Sequence, residues 1–389
     1  MAFEADTIED MISFFSGYPA VSLICAVILY YTYWKWTKHA PKSRFEVPSA
    51  EKSKQPDWDV VDLSASKPIS QDYDWSTTPE KPYRPWNNGP HYVTMGLKAT
   101  PIDEWVEIDK TYLDRYNYKR KLFAQYPEKT VQHLPGTEEA SFEALYLLVD
   151  LLWRRYPSMF VKTETGIENL VTKETWDLRR ESNVWNLYHP LQVMGLLTTE
   201  DWFIMQTGED QQTRLRAGAV CFPAGWKIQE RIGLSLWEIH SGKVPQYEEK
   251  LAKSMDRFFI RLRVDSPITR FNFAIDDSPE LFHIQSHHNL TADSISEPLV
   301  LDQLHLRVER QFLQRLPKSR SIVFSIRTYV TPITEVTKDK EVAQALMTRV
   351  DSFTEDVARY KNKSLWNDVL IAHIREVIDE NRAKAKDRG

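Results

Sequence analysis

The chain has 389 residues, a net charge of −5, and 42% hydrophobic and 27% charged side chains, the averages of a soluble folded protein rather than a disordered or collagen-like one. This balance argues against the basic stripe of a nucleic-acid binder, so no nucleic-acid partner is expected. Two cysteines, Cys25 and Cys221, are too few for a disulfide framework, a cysteine-ligated zinc site or an iron–sulfur cluster, whereas 13 Trp, 17 Tyr and 17 Phe suit a bulky core or one built around something flat.

Residues 1–10 are acidic, with Glu4, Asp6, Glu9 and Asp10 and no basic side chain. From Met11 to Trp34 the chain then runs 24 residues without a formal charge. A helix of that length reaches roughly 36 Å and crosses a hydrocarbon core of ~30 Å. The spacing therefore predicts a single transmembrane helix over 11–36, with Tyr30, Tyr31, Tyr33, Trp34 and Trp36 at the interface. Lys35, Lys38, Lys42 and Arg44 follow it, and basic residues resist translocation. The expected topology is a single-pass membrane protein with its N-terminus outside or lumenal and its main domain cytosolic. A cleaved signal peptide would carry its basic residues before the apolar run. Residues 37–90 form a proline-rich linker, holding eight of the 21 prolines between 41 and 90. Its aromatic end, Tyr83 to Trp86, is a candidate to dock on the domain.

Residues 91–389 read as one mixed domain. Helical spacing covers Trp105 to Leu122 and Ser141 to Tyr156, where Leu145, Leu148, Val149 and Leu152 share a face. Asp201 to Gln206 and Thr213 to Phe222 predict a hairpin. Helices follow over Gly233 to His240 and Tyr247 to Leu262, then strands over Ile268 to Ile275, Leu304 to Phe312 and Ser321 to Val330. The last alternates, with Ile322, Phe324, Ile326 and Val330 on one side and Ser325, Arg327 and Tyr329 on the other. A helical period resumes from Lys340 to Ala383, through Leu365, Val369, Ile374 and Ile378. The fold class is α+β, an antiparallel sheet with helices over one face.

No GxGxxG, phosphate-binding loop, HExxH or nucleophile elbow is present. The conspicuous polar residues are His240, Arg270 with Asn272, the run Arg307 to Gln311, and Arg327. Alternation sets Arg307, Glu309 and Gln311 against Val308, Arg310 and Phe312, so Arg307 and Arg310 cannot serve on one strand face. Whichever face is buried takes charge with it, and buried charge requires a partner.

Several short runs stand in order: Met95-Gly96-Leu97, Trp105 to Asp109 with Tyr112, Leu134-Pro135-Gly136, Arg155-Tyr156-Pro157, Glu200-Asp201 and Phe222 to Trp226. Ile232-Gly233, Ile239-His240, Val244-Pro245, Arg270 to Phe273, Arg307 to Gln311 with Arg315-Leu316-Pro317, and Ile326 to Tyr329 continue the series. Together they resemble the haem-dependent oxidative N-demethylase family, the alpha subunit of dimethylamine monooxygenase, from about His91 to the C-terminal helices. The resemblance implies a PAS-like sheet holding haem b in its concavity. It also implies oxidation of a small secondary amine with O₂ and release of formaldehyde. Electrons would come from an NADPH-dependent partner reductase carrying flavin and [2Fe–2S] groups, in keeping with a chain that has neither the cysteines for a ferredoxin cluster nor a dinucleotide fingerprint. A non-enzymatic haem-binding sensor or carrier on the same scaffold, or a scaffold that has lost haem, are the competing readings.

Within that resemblance His240 is the candidate proximal iron ligand; otherwise it stabilises a helix C-terminus before Gly242. The Ser241-Gly242-Lys243 turn after it departs from the family's shorter, more proline-rich one. His189, or the His283, His287 and His288 group, are the rival histidines. Arg307, Arg310 and Arg327 are candidates for haem propionates, or for a salt-bridge network with Glu309. Glu309 or Asp201 is the candidate catalytic carboxylate, holding an ammonium substrate and relaying protons, unless it caps or bridges structure. Asn272 is placed to orient a polar ligand or to satisfy a strand edge. Trp226 and Phe273 read as core residues that could also line a porphyrin.

Overall fold

The computed structural model describes residues 61–64, 66–70, 72–86, 89–284 and 299–386. The acidic N-terminus, the 11–36 segment, the first part of the proline-rich stretch, and His287 and His288 lie outside the described residues. Among the described residues no helix is long and apolar enough to cross a membrane.

The described residues contain ten strands: β1 (Lys98–Ala99), β2 (Val131–His133), β3 (Phe160–Lys162), β4 (Gly166–Asn169), β5 (Glu174–Asp177), β6 (Asp201–Thr207), β7 (Thr213–Ala219), β8 (Ile268–Asp276), β9 (His305–Arg315) and β10 (Ile322–Pro332). The longer helices are α1 (Tyr112–Gln125), α2 (Glu138–Arg155), α3 (Pro190–Leu197), α4 (Leu236–His240), α5 (Ala252–Arg261), α6 (Lys340–Asp351), α7 (Glu355–Tyr360) and α8 (Lys363–Lys386). Seven strands make one sheet in the order β1-β8-β9-β10-β6-β7-β2, antiparallel at every pairing. Strands β3 to β5 form a separate small sheet.

Register sorts the long strands into two faces, because residues directly opposite point the same way. Asn272 faces Glu309 and Ala274 faces Arg307, so the first face carries Arg270, Asn272, Arg307, Glu309 and Gln311, with Phe324 and Ile326 from β10. The second face carries Phe273, Val308, Arg310, Phe312 and Arg327. On the second face Trp105 packs edge-on to Trp202 at 5.4 Å and stacks on Phe312 at 5.9 Å, in a core shared with α1, α2 and α3. Farther along the same face, Val308 and Tyr329 meet Leu346 of α6 and Trp366, Leu370, Ile374 and Ile378 of α8.

Helices cover the first face as well, unlike the one-sided arrangement expected. Ala252, Met255 and Phe259 of α5 and Leu236 and Ile239 of α4 bury against Phe203, Met205, Leu313 and Ile322. Elsewhere the elements shift in bounds. The first helix begins at Tyr112 rather than Trp105, because Asp109 accepts from the Thr111 amide and hydroxyl and turns the chain first. The C-terminal helical stretch is cut into three by the breaks at 352–354 and 361–362, and Asn362 sits at φ 50°. The part of the linker region within 61–86 lies on the domain. Leu63 and Trp86 are buried, Tyr83 packs on Phe271 and Tyr329 at 4.7 and 5.3 Å, and Trp86 packs on Phe273 at 5.3 Å.

Candidate functional site: a histidine-walled cavity

Helix α4 is a single turn, and its start is fixed by side chains. The Glu238 amide donates to Ser235 Oγ at 3.2 Å while the Ser235 amide donates to the Glu238 carboxylate at 2.7 Å, a capping box. Gly233, at φ +83°, supplies the turn before it, a conformation costly for any residue with a Cβ. Its last residue is His240. Nδ1 of that ring lies 2.7 Å from the Leu236 carbonyl oxygen. A carbonyl only accepts, so Nδ1 carries the proton and Nε2 keeps its lone pair. Tyr247 stacks on the ring at 5.1 Å and 19°, from a π-helical turn over Tyr247–Leu251, a form frequent at functional sites. Burial, with Arg231, Arg270 and Lys243 nearby, pushes the imidazole down to about 4. It is neutral at physiological pH.

His240 walls a cavity of about 800 Å³ bounded by the first sheet face, the 223–226 loop, the stretch 239–249 and the turn 356–362, within the ~300–1,000 Å³ range of ligand pockets. Gln246 Nε2 donates to Asp356 at 3.0 Å and ties two of its walls together. The floor is polar. Glu309 accepts from Gln311 Nε2 at 2.8 Å and from Asn272 Nδ2 at 3.4 Å. Arg231, Arg270, Arg307, Tyr360 and Lys361 all lie within electrostatic reach of it. Burial, with Arg270 close by, holds the Lys361 ammonium down at about 8.

The structure brings His240, Asn272, Arg307 and Glu309 together at this cavity. Arg307 spends its terminal nitrogens on backbone, donating to the carbonyls of Phe222, Pro223, Glu280 and Leu281 at 3.0–3.1 Å, and its Nε is buried without a partner. Arg310 and Arg327 are elsewhere, on the second face. Arg310 donates to the carbonyls of Glu104 and Trp105 and lies 3.5 Å from Glu107. Arg327 donates to the Glu107 carbonyl, Thr199 and Asp109. Asp201 is also away from the cavity. Its two carboxylate oxygens accept the Cys221 and Phe222 amides at 2.8 Å, which anchors the loop entering the cavity wall.

Of the rival histidines, His189 caps α3, its Nδ1 accepting the Leu191 amide. His283 lines the cavity 3.7 Å from Asp276. Trp226 lines the cavity beneath Arg231, and Phe273 is buried against Trp86. Sequence reasoning did not single out Arg231, Tyr360 and Lys361. The last two come from the end of α7 and the turn after it, with no local pattern pointing to β8, although Lys361 Nζ donates to the Phe273 carbonyl at 2.6 Å.

The family described as haem-dependent oxidative N-demethylase, alpha subunit-like, matches residues 96–371, most of the chain. The chain belongs to this family. The matched stretch runs from before β1 into α8 and contains every residue that lines the cavity. Membership in a haem-dependent oxidative N-demethylase family points to an oxidoreductase and to haem as its cofactor.

Proposed function

We propose that the chain is a haem-dependent oxygenase that demethylates a small secondary amine, with haem b in the cavity and His240 as the iron ligand. The sheet is read as PAS-like, its first face forming the concavity. The observation that carries the reading is the His240 ring, neutral, with Nδ1 tied to Leu236 and an unprotonated Nε2. That is the state in which histidine ligates metal. The surrounding donors suit a dianionic porphyrin: buried Nε atoms of Arg270 and Arg307 have no hydrogen-bond partner, and guanidinium groups match carboxylates.

Bound haem would supply an iron that activates O₂ to oxidise an N-methyl group, releasing formaldehyde. The chain's own residues set the conditions. The Leu236 carbonyl and the Tyr247 ring hold the imidazole in one orientation. Arg307 and Asn272 stand on the floor as cofactor contacts. Glu309 keeps lone pairs beyond those occupied by Gln311 and Asn272, which fits it to bind an alkylammonium group and hold a proton at its carboxylate. Asp201, with both oxygens spent on backbone amides, is a structural anchor in this reading. Electrons would come from a separate NADPH-dependent reductase with flavin and [2Fe–2S] groups, since the chain's cysteines are only Cys25 and the buried Cys221. The 11–36 segment would tether the enzyme to a membrane, with the domain cytosolic. In that topology the sequons at Asn289 and Asn362 stay unglycosylated.

The test is formaldehyde release by the purified full chain given haem, dimethylamine, O₂ and a reductant, with His240→Ala as the control. Haem bound without formaldehyde from any secondary methylamine would replace catalysis with the sensor or carrier reading.

A further inference from the structure

We infer that Arg231 and Lys361, which line the cavity, and Arg270, two residues before Asn272 on the same face of β8, form a carboxylate-binding subsite beside Glu309. Three cations from three parts of the chain converge there: the loop after Ile228–Glu230, strand β8, and the α7–α8 turn. Each acts electrostatically on Glu309, so this one carboxylate is shared among three positive groups. The donors are also unused. Among the described residues neither Arg231 nor Arg270 donates a side-chain hydrogen bond. The Arg270 Nε is buried without a partner, and Arg231 rests only on the Trp226 ring at 5.1 Å.

Elsewhere in the protein the terminal nitrogens of buried arginines are taken up by carbonyls. Arg307 meets four backbone carbonyls, as does Arg315. A buried guanidinium N–H without an acceptor, as at Arg270 Nε, is costly, and the cost is recovered when a ligand supplies one. The planar fork of arginine fits a carboxylate through two parallel hydrogen bonds. Lys361 donates one proton to the Phe273 carbonyl and keeps two for a second oxygen acceptor. Its ammonium is held down by burial and by Arg270, a state that a bound anion would reverse.

The carboxylate has two sources, a haem propionate or a free acid group on a carboxylate-bearing amine. The inference deepens the haem reading and does not fall with it. Soret titrations of the full chain with haem b and with haem dimethyl ester, in wild type, Arg270→Gln, Arg231→Gln and Arg270→Lys, separate the sources, as does succinate binding to both haem-free and haem-loaded protein. If the ligand is a propionate, Arg270→Gln weakens haem b by at least about tenfold, leaves the dimethyl ester unchanged, and is partly rescued by Arg270→Lys. If it is a substrate acid, haem affinity is unchanged and succinate binding to the haem-loaded protein is lost. Should the chain take up no haem, loss of succinate binding in the variants upholds the subsite while the haem reading falls. Folded Arg270→Gln and Arg231→Gln proteins that bind all three probes as wild type does would overturn it. If Arg270→Gln fails to fold, Arg231→Gln carries the same readouts.

Discussion

His240 Nδ1 stands 2.7 Å from the carbonyl oxygen of Leu236, one turn earlier in the same short helix. This contact fixes the tautomer and leaves the ring's lone pair on Nε2. It also ties the ring to a helix that depends on the Ser235–Glu238 capping box. A Ser235→Ala change is expected to cost about 0.5–2 kcal/mol and to weaken haem retention through loss of ring placement. Comparing urea unfolding with the rate of haem transfer to apomyoglobin checks both effects.

Three histidines are held below their usual pKa of 6.5: His240 to about 4, His91 to about 4 and His189 to about 3, in each case first by burial. Between those values and 6.5 the unfolded chain binds more protons than the folded one, so stability rises with pH across this window and falls as pH drops through it. The haem-free protein is expected to lose Tm steadily from pH 6.5 to 4. Each histidine contributes no more than about 1.4 kcal/mol per pH unit, and His240→Phe is expected to flatten the slope. Thermal melts at half-unit pH steps measure this directly.

Arg327 is fully buried and donates to the Glu107 carbonyl, Thr199 and Asp109, with Glu200 at 4.0 Å. Removing it leaves Asp109 and Glu200 uncompensated in the core. Arg327→Met is expected to cost about 3–5 kcal/mol while the surviving folded protein keeps its haem affinity. Urea unfolding combined with Soret titration separates this structural role from cofactor binding.

Glu107 fastens the segment leading into the domain. It accepts from Lys81 at 2.6 Å, from the Tyr83 hydroxyl at 2.5 Å and from the Tyr329 hydroxyl at 2.5 Å, with Arg310 at 3.5 Å. Burial would raise its carboxyl, but Arg310, Lys81 and Tyr329 hold it down at about 2. Its stabilising contribution is present above pH 4.5 and is lost as pH falls toward 2. Glu107→Gln is expected to release residues 78–86, visible as new cleavage there in limited proteolysis.

Much of this arrangement is written in local pattern. Alternation in β10 places Ile322, Phe324 and Ile326 opposite Ser325, Arg327 and Tyr329, and alternation in β9 separates Arg307 and Glu309 from Arg310. Period alone cannot say which face meets a cavity and which meets a core. Arg310 and Arg327 therefore read as cofactor contacts until register and packing put them beside Glu107 and Asp109. Asp201 misleads for a related reason, because its partners are backbone amides twenty residues later, which no side-chain motif announces. Lys361 and Tyr360 were out of reach of sequence reasoning, since only the tertiary docking of α7 and α8 brings them to β8. The place of His240 at the end of a short helix was legible because it is a local feature.

The Soret spectrum of the full chain, purified in detergent and reconstituted with haem, tests the central claim most directly. The expected result is a band in wild type that shifts or vanishes in His240→Ala and is restored by added imidazole. A wild-type chain with no Soret band, or a band that His240→Ala leaves unchanged, would contradict it.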